Sequence, residues 1–507
     1  MEYILAHDIG TSGNKAVITD KNGRIVGSAF EEYGVEHPKL GWAEQAPETW
    51  WKAIVHTTSH VMKSSGVSPD DIIGISFSSQ MLGVLPVDED GRALRPCIIW
   101  LDCRAGEQAQ QIIKKFSATL IRSMYGVLPS GKDVIPKIMW VRDKEPEIFK
   151  KAYKIIDCGA YVVHKFTGEF KMDFSCASVT GLLDNKKKTW SKMFSGVLGL
   201  PVEKFCTAVK STELVGGVTK ETALETGLKE GTPVFCGCGD AAASAVGSGA
   251  VRANHANIYI GTSGWVEVTV DKPVVIKKGG IATICAADHG KWILIAETES
   301  AGACLKWFGD VLGGEERAEA EKSGESIYRV FDRIAEGVEP GSKSLIFTPW
   351  MFGERAPICD ENVRGGFINL SLDHRREHMI RAIMEGVAYH NAWMLEAIEN
   401  KIGIESMNAT GGGARSNVWL QMIADVTGKT VKQTASPLDG CSIGAALTAA
   451  VGLGIYRDFD SLEGVIPMAG EFNPREENRM KYAVLYENFK KVYEGLAGLY
   501  CSLNKCE

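Results

Sequence analysis

Tyr3-Ile4-Leu5-Ala6-His7-Asp8-Ile9-Gly10-Thr11-Ser12-Gly13-Asn14-Lys15-Ala16-Val17-Ile18-Thr19-Asp20 opens the chain as an apolar run, a small-residue turn and a second apolar run. Tyr3 to His7 reads as a buried strand and Ala16 to Asp20 as its partner, so Gly10 to Asn14 is expected to form a hairpin turn. Such a turn can offer consecutive backbone N–H groups to an anion when no side chain blocks the approach. Asp8 and Lys15 frame it. The same strand, Gly-Thr-Ser-Gly, strand pattern returns at Ile258-Tyr259-Ile260-Gly261-Thr262-Ser263-Gly264-Trp265-Val266-Glu267-Val268 and opens a second half of the chain. A duplicated phosphate loop implies two similar domains facing one nucleotide.

Between and after these hairpins stand Cys236-Gly237-Cys238-Gly239-Asp240-Ala241-Ala242, with one carboxylate in a small-residue turn, and Asn408-Ala409-Thr410-Gly411-Gly412-Gly413-Ala414-Arg415. The chain has no G-x-x-x-x-G-K-[ST] run, and no G-x-G-x-x-G opens a helix after the first strand, so neither a P-loop nor a Rossmann reading applies. Glycine-rich, hydroxyl-bearing loops around an isolated aspartate point to phosphoryl transfer to a small hydroxylated acceptor.

These ordered phrases resemble those of the FGGY carbohydrate kinases, and within that family they are most similar to the xylulokinases. The resemblance runs through Asp8 to Lys15, Ser79-Gln80-Met81-Leu82-Gly83, Ile99-Trp100-Leu101-Asp102-Cys103-Arg104, Pro136-Lys137-Ile138-Met139-Trp140-Val141, Gly239 to Ala242, Phe352-Gly353-Glu354-Arg355-Ala356-Pro357 and Gly411 to Asn417. A later signature runs from Gly365 through Phe367 and Leu370 to His378, Ala382 and Glu385, and departs where Asn369 replaces a usual glycine. The resemblance implies an α/β chain with the two-domain actin-like ATPase (ribonuclease H-like) fold of the actin, hexokinase and Hsp70 class. Each domain is expected to be a mixed sheet flanked by helices, with ATP in the cleft between them.

At 507 residues the chain exceeds the roughly 250–300 at which single hydrophobic cores stop growing, so two domains are expected. The boundary is placed near Gly247-Ser248-Gly249-Ala250-Val251, giving domains over 1–248 and 249–507. Small residues there suit a hinge, and equally suit close helix packing. Arg376 to Glu399 reads as one long helix, and Asn417 to Asp425 as a helix launched from the Gly411 to Gly413 turn. The tail from about 475 carries Met480, Ala483, Leu485, Tyr486, Phe489, Val492, Tyr493 and Leu496 at helical intervals, as core packing or as a homodimer contact.

The net charge of −7, without a basic stripe, gives no reason to expect a nucleic-acid partner. No basic segment leads into an apolar run at the amino terminus, and no apolar stretch approaches ~20 residues, so a cytoplasmic location away from membranes is expected. The thirteen cysteines are scattered and read as reduced core thiols. Cys236 and Cys238 would share one strand face, yet no histidine or further cysteine completes a zinc set beside them.

Roles follow from the resemblance. Asp240 is the candidate catalytic base, against the ordinary alternative of a turn or helix-cap aspartate. Asp8 would organise Mg²⁺ through water, or else simply close an Asx turn. Thr11, Ser12 and Lys15 would address the phosphates of ATP from one domain, and Gly261, Thr262 and Ser263 from the other. Gly411, Gly412, Gly413 and Asn417 would lie along the adenosine, at a turn feeding a helix amino terminus. Gly444-Ala445-Ala446 matches a second connecting helix that crosses the one after Asp240 closely.

The acceptor pocket would draw on Gln80, Met81, Asp102, Arg104 and Asp240, with Trp100 as an apolar wall. For Asp102 and Arg104 an internal salt bridge competes. Xylulokinases usually show Gln-Met-His-Gly where this chain has Gln80-Met81-Leu82-Gly83, and Gly-Asp-Asn where it has Gly239-Asp240-Ala241. Ser130-Gly131-Lys132-Asp133 also replaces a more apolar phrase. The expected activity is ATP-dependent phosphorylation of a small ketose or polyol, D-xylulose to xylulose 5-phosphate first, with ribulose, erythritol-like polyols or another modified sugar next. A nucleotide-driven switch of the Hsp70 or actin kind is the alternative from another class.

Overall fold

The computed structural model describes residues 1–125 and 127–504. The opening hairpin forms as expected: Tyr3–Ile9 pairs antiparallel with Gly13–Thr19, and that strand pairs with Ile25–Glu32. Ile72–Ser79 then adds in parallel on the other side of Tyr3–Ile9, followed by Pro233–Phe235 and Leu214–Gly217. The second hairpin repeats the plan. His255–Ile260 pairs antiparallel with Gly264–Val270, which pairs with Trp292–Thr298, while Ser406–Thr410 and Val431–Thr434 add in parallel on the far side. Two mixed sheets of one design, flanked by helices, give the α/β, actin-like ATPase fold.

Each sheet buries its faces differently. One face of the first packs Leu5, Ile18 and Phe77 against Trp50 and Ile54 of helix Pro47–Ser65. The second packs Ile258, Val266 and Leu294 against Ile383 and Val387 of helix Arg376–Glu399 and Leu420 and Ile423 of helix Asn417–Thr427. Burying such side chains is worth about 1.5–3 kcal/mol each. The remaining faces meet two short helices that change places. Helix Asp240–Ser248, which continues the first half of the chain, lies on the second sheet: Asn257 donates to Ser244 Oγ (2.9 Å) and Asn408 to the Ser248 carbonyl (2.7 Å). Helix Gly440–Gly452, from the second half, covers Ile4, Ala6, Val17 and Phe235 of the first sheet with Ala445, Ala446, Ala449 and Ala450.

These helices touch where they cross, and Gly247 and Gly444 make room for the contact. A Cβ on Gly247 would collide with the Gly440 carbonyl, and one on Gly444 with the Ala243 carbonyl. Gly247 and Ser248 are helical and buried, so their size serves close packing, while Gly249, the left-handed cap, and Ala250 and Val251 follow the helix.

The family signature beyond residue 365 proves to be framework. His378 Nδ1 accepts the Arg375 N–H at the start of the long helix. The Glu385 carboxylate is saturated by Gly341 N–H, Ser342, Arg381 and Tyr482. Asn369 has φ +70°, a conformation that asparagine tolerates better than other non-glycine residues, which accounts for the departure from glycine. The tail is a helix, Glu476–Asn504, but its buried stripe is Asn478, Tyr482, Leu485, Phe489 and Tyr500. Met480 and Ala483 face solvent, because the Asn478 amide is anchored on Asp425 and fixes the helix phase. The Cys236 and Cys238 expectation also changes: Gly237, at φ +73°, breaks the strand between them, so strand alternation does not relate their faces. No described helix is long and apolar enough to cross a membrane.

Candidate active site

The parallel strand Ile72–Ser79 brings three loops to one edge. Ser78 is opposite Asp8 on one side and Cys238 on the other, and Ser79 is opposite Ile9 and Gly239. Gly10, Gln80 and Asp240 therefore leave the sheet side by side. In the second sheet Tyr259 is opposite Thr410, so the Gly261 loop and the Gly411 turn also leave together.

The first loop is held by its carbonyls and presents its N–H groups. Gly10 C=O accepts from Tyr33 (2.7 Å) and Gln80 (3.3 Å), and Thr11 C=O from Gln45 (2.7 Å). Thr11 Oγ1 accepts from the Trp100 indole (2.7 Å). Gly10 N–H closes the turn onto Gly13 C=O, whereas those of Thr11 and Ser12 meet no acceptor among the described residues. The second loop has matching wiring. Gly261 N–H bonds Ser263 C=O, while the Gly261 and Thr262 carbonyls accept from Gly302, Ala301 and Ala303. The N–H groups of Thr262 and Ser263 have no acceptor among the described residues. Both loops are nests suited to phosphate oxygens.

The three glycines of the third loop differ. Gly411 adopts φ +87°, and a Cβ there would sit 2.6 Å from the Ile260 carbonyl; one on Gly413 would strike the Ile260 side chain. At Gly412 only a Leu438 methyl lies within reach, at 3.8 Å. The protein's own packing demands two of the glycines and leaves the middle one open to a groove lined by Arg329, Arg415, Asn417, Gln433 and Leu438. The helix starts one turn later than the glycines, after a 3₁₀ turn over Gly412–Arg415, with Ser416 as cap.

Asp240 is the first residue of its helix, and its Oδ1 accepts the Ala241 N–H (2.9 Å). Burial, then the nearby charge of Asp8, push its carboxyl up to about 7. Met81 packs its thioether against Gly239 beside it. Burial also raises Asp8, against the hydrogen bond from Ser78 (2.8 Å) and the charge of Lys15. Lys15 reaches across the cleft to the Leu438 carbonyl (2.8 Å) and Asp439 (2.9 Å).

The acceptor side needs correction. Asp102 has no exposed surface, and its carboxylate is filled by Ala43 N–H, Arg104 N–H and the Arg104 guanidinium. Arg104 also pairs with Glu44 (2.6 Å) and stacks over Trp42 at 3.6 Å. The competing internal salt bridge is what forms, and neither residue faces the cleft. Gln80 is buried and donates to Gln45 (2.8 Å) and Gly10, so it braces the loop. Trp100 does face the cleft, with Arg355 5.9 Å from its ring.

Sequence reasoning missed the cluster opposite. Lys132 of the first half pairs with Glu299 of the second (2.8 Å), and Arg355 bridges Glu299 (2.8 Å) and Glu297 (2.6 Å). Glu297 adds to the upward shift of Asp240, so the two carboxylates feel each other's charge. The signal was a pair of glutamates two apart at a strand end, together with Arg355 in a phrase already quoted for its resemblance.

Comparison with known proteins agrees with this geometry. The model of the FGGY family of carbohydrate kinases, N-terminal domain, matches residues 3–247, and that of the C-terminal domain residues 256–453. A gluconokinase of Bacillus subtilis is 32% identical, over 99% of this chain and 97% of that protein. A xylulose kinase of the same organism is 31% identical, over 97% of each. The crystal structure of ligand-bound xylulose kinase from Lactobacillus acidophilus superposes with a TM-score of 0.89 at 25% identity, covering 99% of this chain and all of that one. With two sheets of one design, two loops of matching wiring and both family models in place, the chain belongs to the FGGY family of carbohydrate kinases.

Proposed function

We propose that this kinase transfers the γ-phosphoryl group of ATP to a hydroxyl of a small ketose or polyol, with D-xylulose as leading acceptor and xylulose 5-phosphate as product. Ribulose, erythritol-like polyols and other modified sugars follow. The observation that carries the reading is the placement of Asp240, which leaves the first sheet beside the Gly10 loop and close to Asp8, with burial pushing its carboxyl up to about 7. Phosphoryl transfer asks the protein chiefly for alignment and charge stabilisation. Asp240 takes the proton of the acceptor hydroxyl, the Thr11–Ser12 and Thr262–Ser263 loops hold phosphate oxygens, and Lys15 adds charge by sharing or leaving Asp439. Gly411, Gly412, Gly413 and Asn417 border the adenosine, with Gly412 in closest approach. Residues 1–248 and 249–507, with the terminal helix from 476, form the two domains in this reading.

Mg²⁺ fits the donor set. Asp8 Oδ2 accepts no hydrogen bond from a described residue, and no described cluster of three or more metal-binding side chains forms a closed cage. A single carboxylate plus phosphates suits an ion that keeps several waters. When bound, the ion would neutralise charge on the phosphates.

A second acceptor class is favoured by one feature: Arg355 Nη2 is buried without a partner near Trp100, with Lys132 alongside. A sugar acid such as gluconate would place its carboxylate there, in keeping with the gluconokinase relative. A coupled ADP-release assay over C4 to C6 ketoses, polyols and gluconate decides. Turnover with a ketose or polyol supports the leading reading, gluconate alone replaces it, and a slow ATPase indifferent to all of them overturns both.

A further inference from the structure

Glu267 lies on the strand that follows the second phosphate loop, wholly inside the protein. Its Oε1 accepts from Asn257 Nδ2 (2.8 Å), and the same amide donates to Ser244 Oγ (2.9 Å). Asn257 Oδ1 in turn accepts from Thr410 Oγ1 (3.1 Å). These four side chains occupy telling places: Ser244 is one turn beyond Asp240, Thr410 immediately precedes Gly411, and Glu267 continues the strand launched at Gly264. This sheet face meets the Asp240 helix through buried hydrogen bonds.

A carboxylate ion here has no cation partner among the described residues, and leaving it charged would cost several kcal/mol. The titratable groups that face it are Asp240 on the helix above and Cys441 on the crossing helix, and neither is a cation. Burial pushes the Glu267 carboxyl up to about 8, which favours the neutral acid at neutral pH, with Oε1 accepting from Asn257. Retaining a buried polar group at this junction makes physical sense if it fixes geometry.

We propose that Glu267 is a positioning residue for phosphoryl transfer: through Asn257 and Ser244 it locks the Asp240 helix to the second phosphate hairpin and to the strand that enters the Gly411 turn. The inference rests on the reading of Asp240 as base. Misplacing a reacting group by about 1 Å can cost about 10²-fold, so a slackened lock shows in kcat.

The test compares Glu267→Gln, Glu267→Ala and Ser244→Ala in the full chain, with Asp240→Asn as a separate control on the base assignment. Glu267→Ala is expected to lower kcat at least about tenfold with KM for ATP changed less than about threefold, whereas Glu267→Gln keeps kcat within about threefold at pH 7. The carboxyl rises from an ordinary 4.5 to about 8, so the folded state holds the extra proton between those values. Wild-type stability should then fall as pH rises from 5 to 8, and Glu267→Gln should flatten that slope. Should Glu267→Ala not fold, Ser244→Ala, which removes only the helix end of the lock, is expected to lower kcat with unchanged Tm. Wild-type kcat in folded Glu267→Ala or in Ser244→Ala, or an equal loss in Glu267→Gln, overturns the inference; an active Asp240→Asn overturns the base assignment instead.

Discussion

Gly247 and Gly444 face each other where the two exchanged helices cross, each against the backbone of the other helix. Neither has a positive φ, so only the space for a Cβ is at issue. Overpacking typically costs about 1–3 kcal/mol, and backbone atoms give way less readily than side-chain ends. We expect Gly247→Ala and Gly444→Ala each to lower stability by at least that amount, read as a fall in Tm of several degrees. Unchanged melting would show that the helices can slide apart freely.

Asp240→Ala should lower kcat by about 10²–10⁴-fold with ATP affinity nearly intact, since the side chain acts on the acceptor. The sign of the pH dependence follows from its upward shift. A base must be ionised, so kcat/KM in the wild type should fall about tenfold per unit below pH about 7 and level off above it. A profile flat down to pH 5 would remove Asp240 from the role.

Gly412→Val and Gly413→Val should part company. The first meets only a Leu438 methyl at ordinary contact distance in the free protein, so it should fold normally and raise KM for ATP far more than KM for the sugar. The second drives a side chain into Ile260 and should lose stability by about 1–3 kcal/mol. Equal effects of Gly412→Val on both substrates would assign the triplet to the turn alone.

Specificity is testable at Leu82 and Ala241. Neither can hydrogen-bond a hydroxyl through its side chain, so D-xylulose should be a mediocre substrate or one of several. Leu82 has φ +62°, a region where histidine is enriched, so Leu82→His is compatible with the backbone. Combined with Ala241→Asn it should shift kcat/KM toward D-xylulose. Strong selectivity of the unmodified kinase for D-xylulose over ribulose and C4 polyols would transfer recognition to Lys132, Glu299 and Arg355.

Local pattern exposed much of this molecule before its fold was known. Tight turns between apolar runs announce themselves, so the Gly10 and Gly261 loops and the Arg376–Glu399 helix could be read directly. Partners distant in the chain could not. Lys132 and Glu299 meet only through folding, as do Lys15 and Asp439, and nothing in Asp102-Cys103-Arg104 says which way a buried pair turns. The tail misled for a related reason: Met480 fits the helical interval, but Asn478, anchored on Asp425, sets the phase.

The exchange of the two helices has a consequence for biosynthesis. Ile4, Ala6, Val17 and Phe235 all leave the ribosome well before Ala445 to Ala450, which cover them. At a synthesis rate of about 5–20 residues per second, the gap of some 200 residues amounts to roughly 10–40 s. Throughout that interval the nascent first sheet carries an uncovered apolar face. It is during translation, more than in the finished enzyme, that this chain would need a chaperone's shelter.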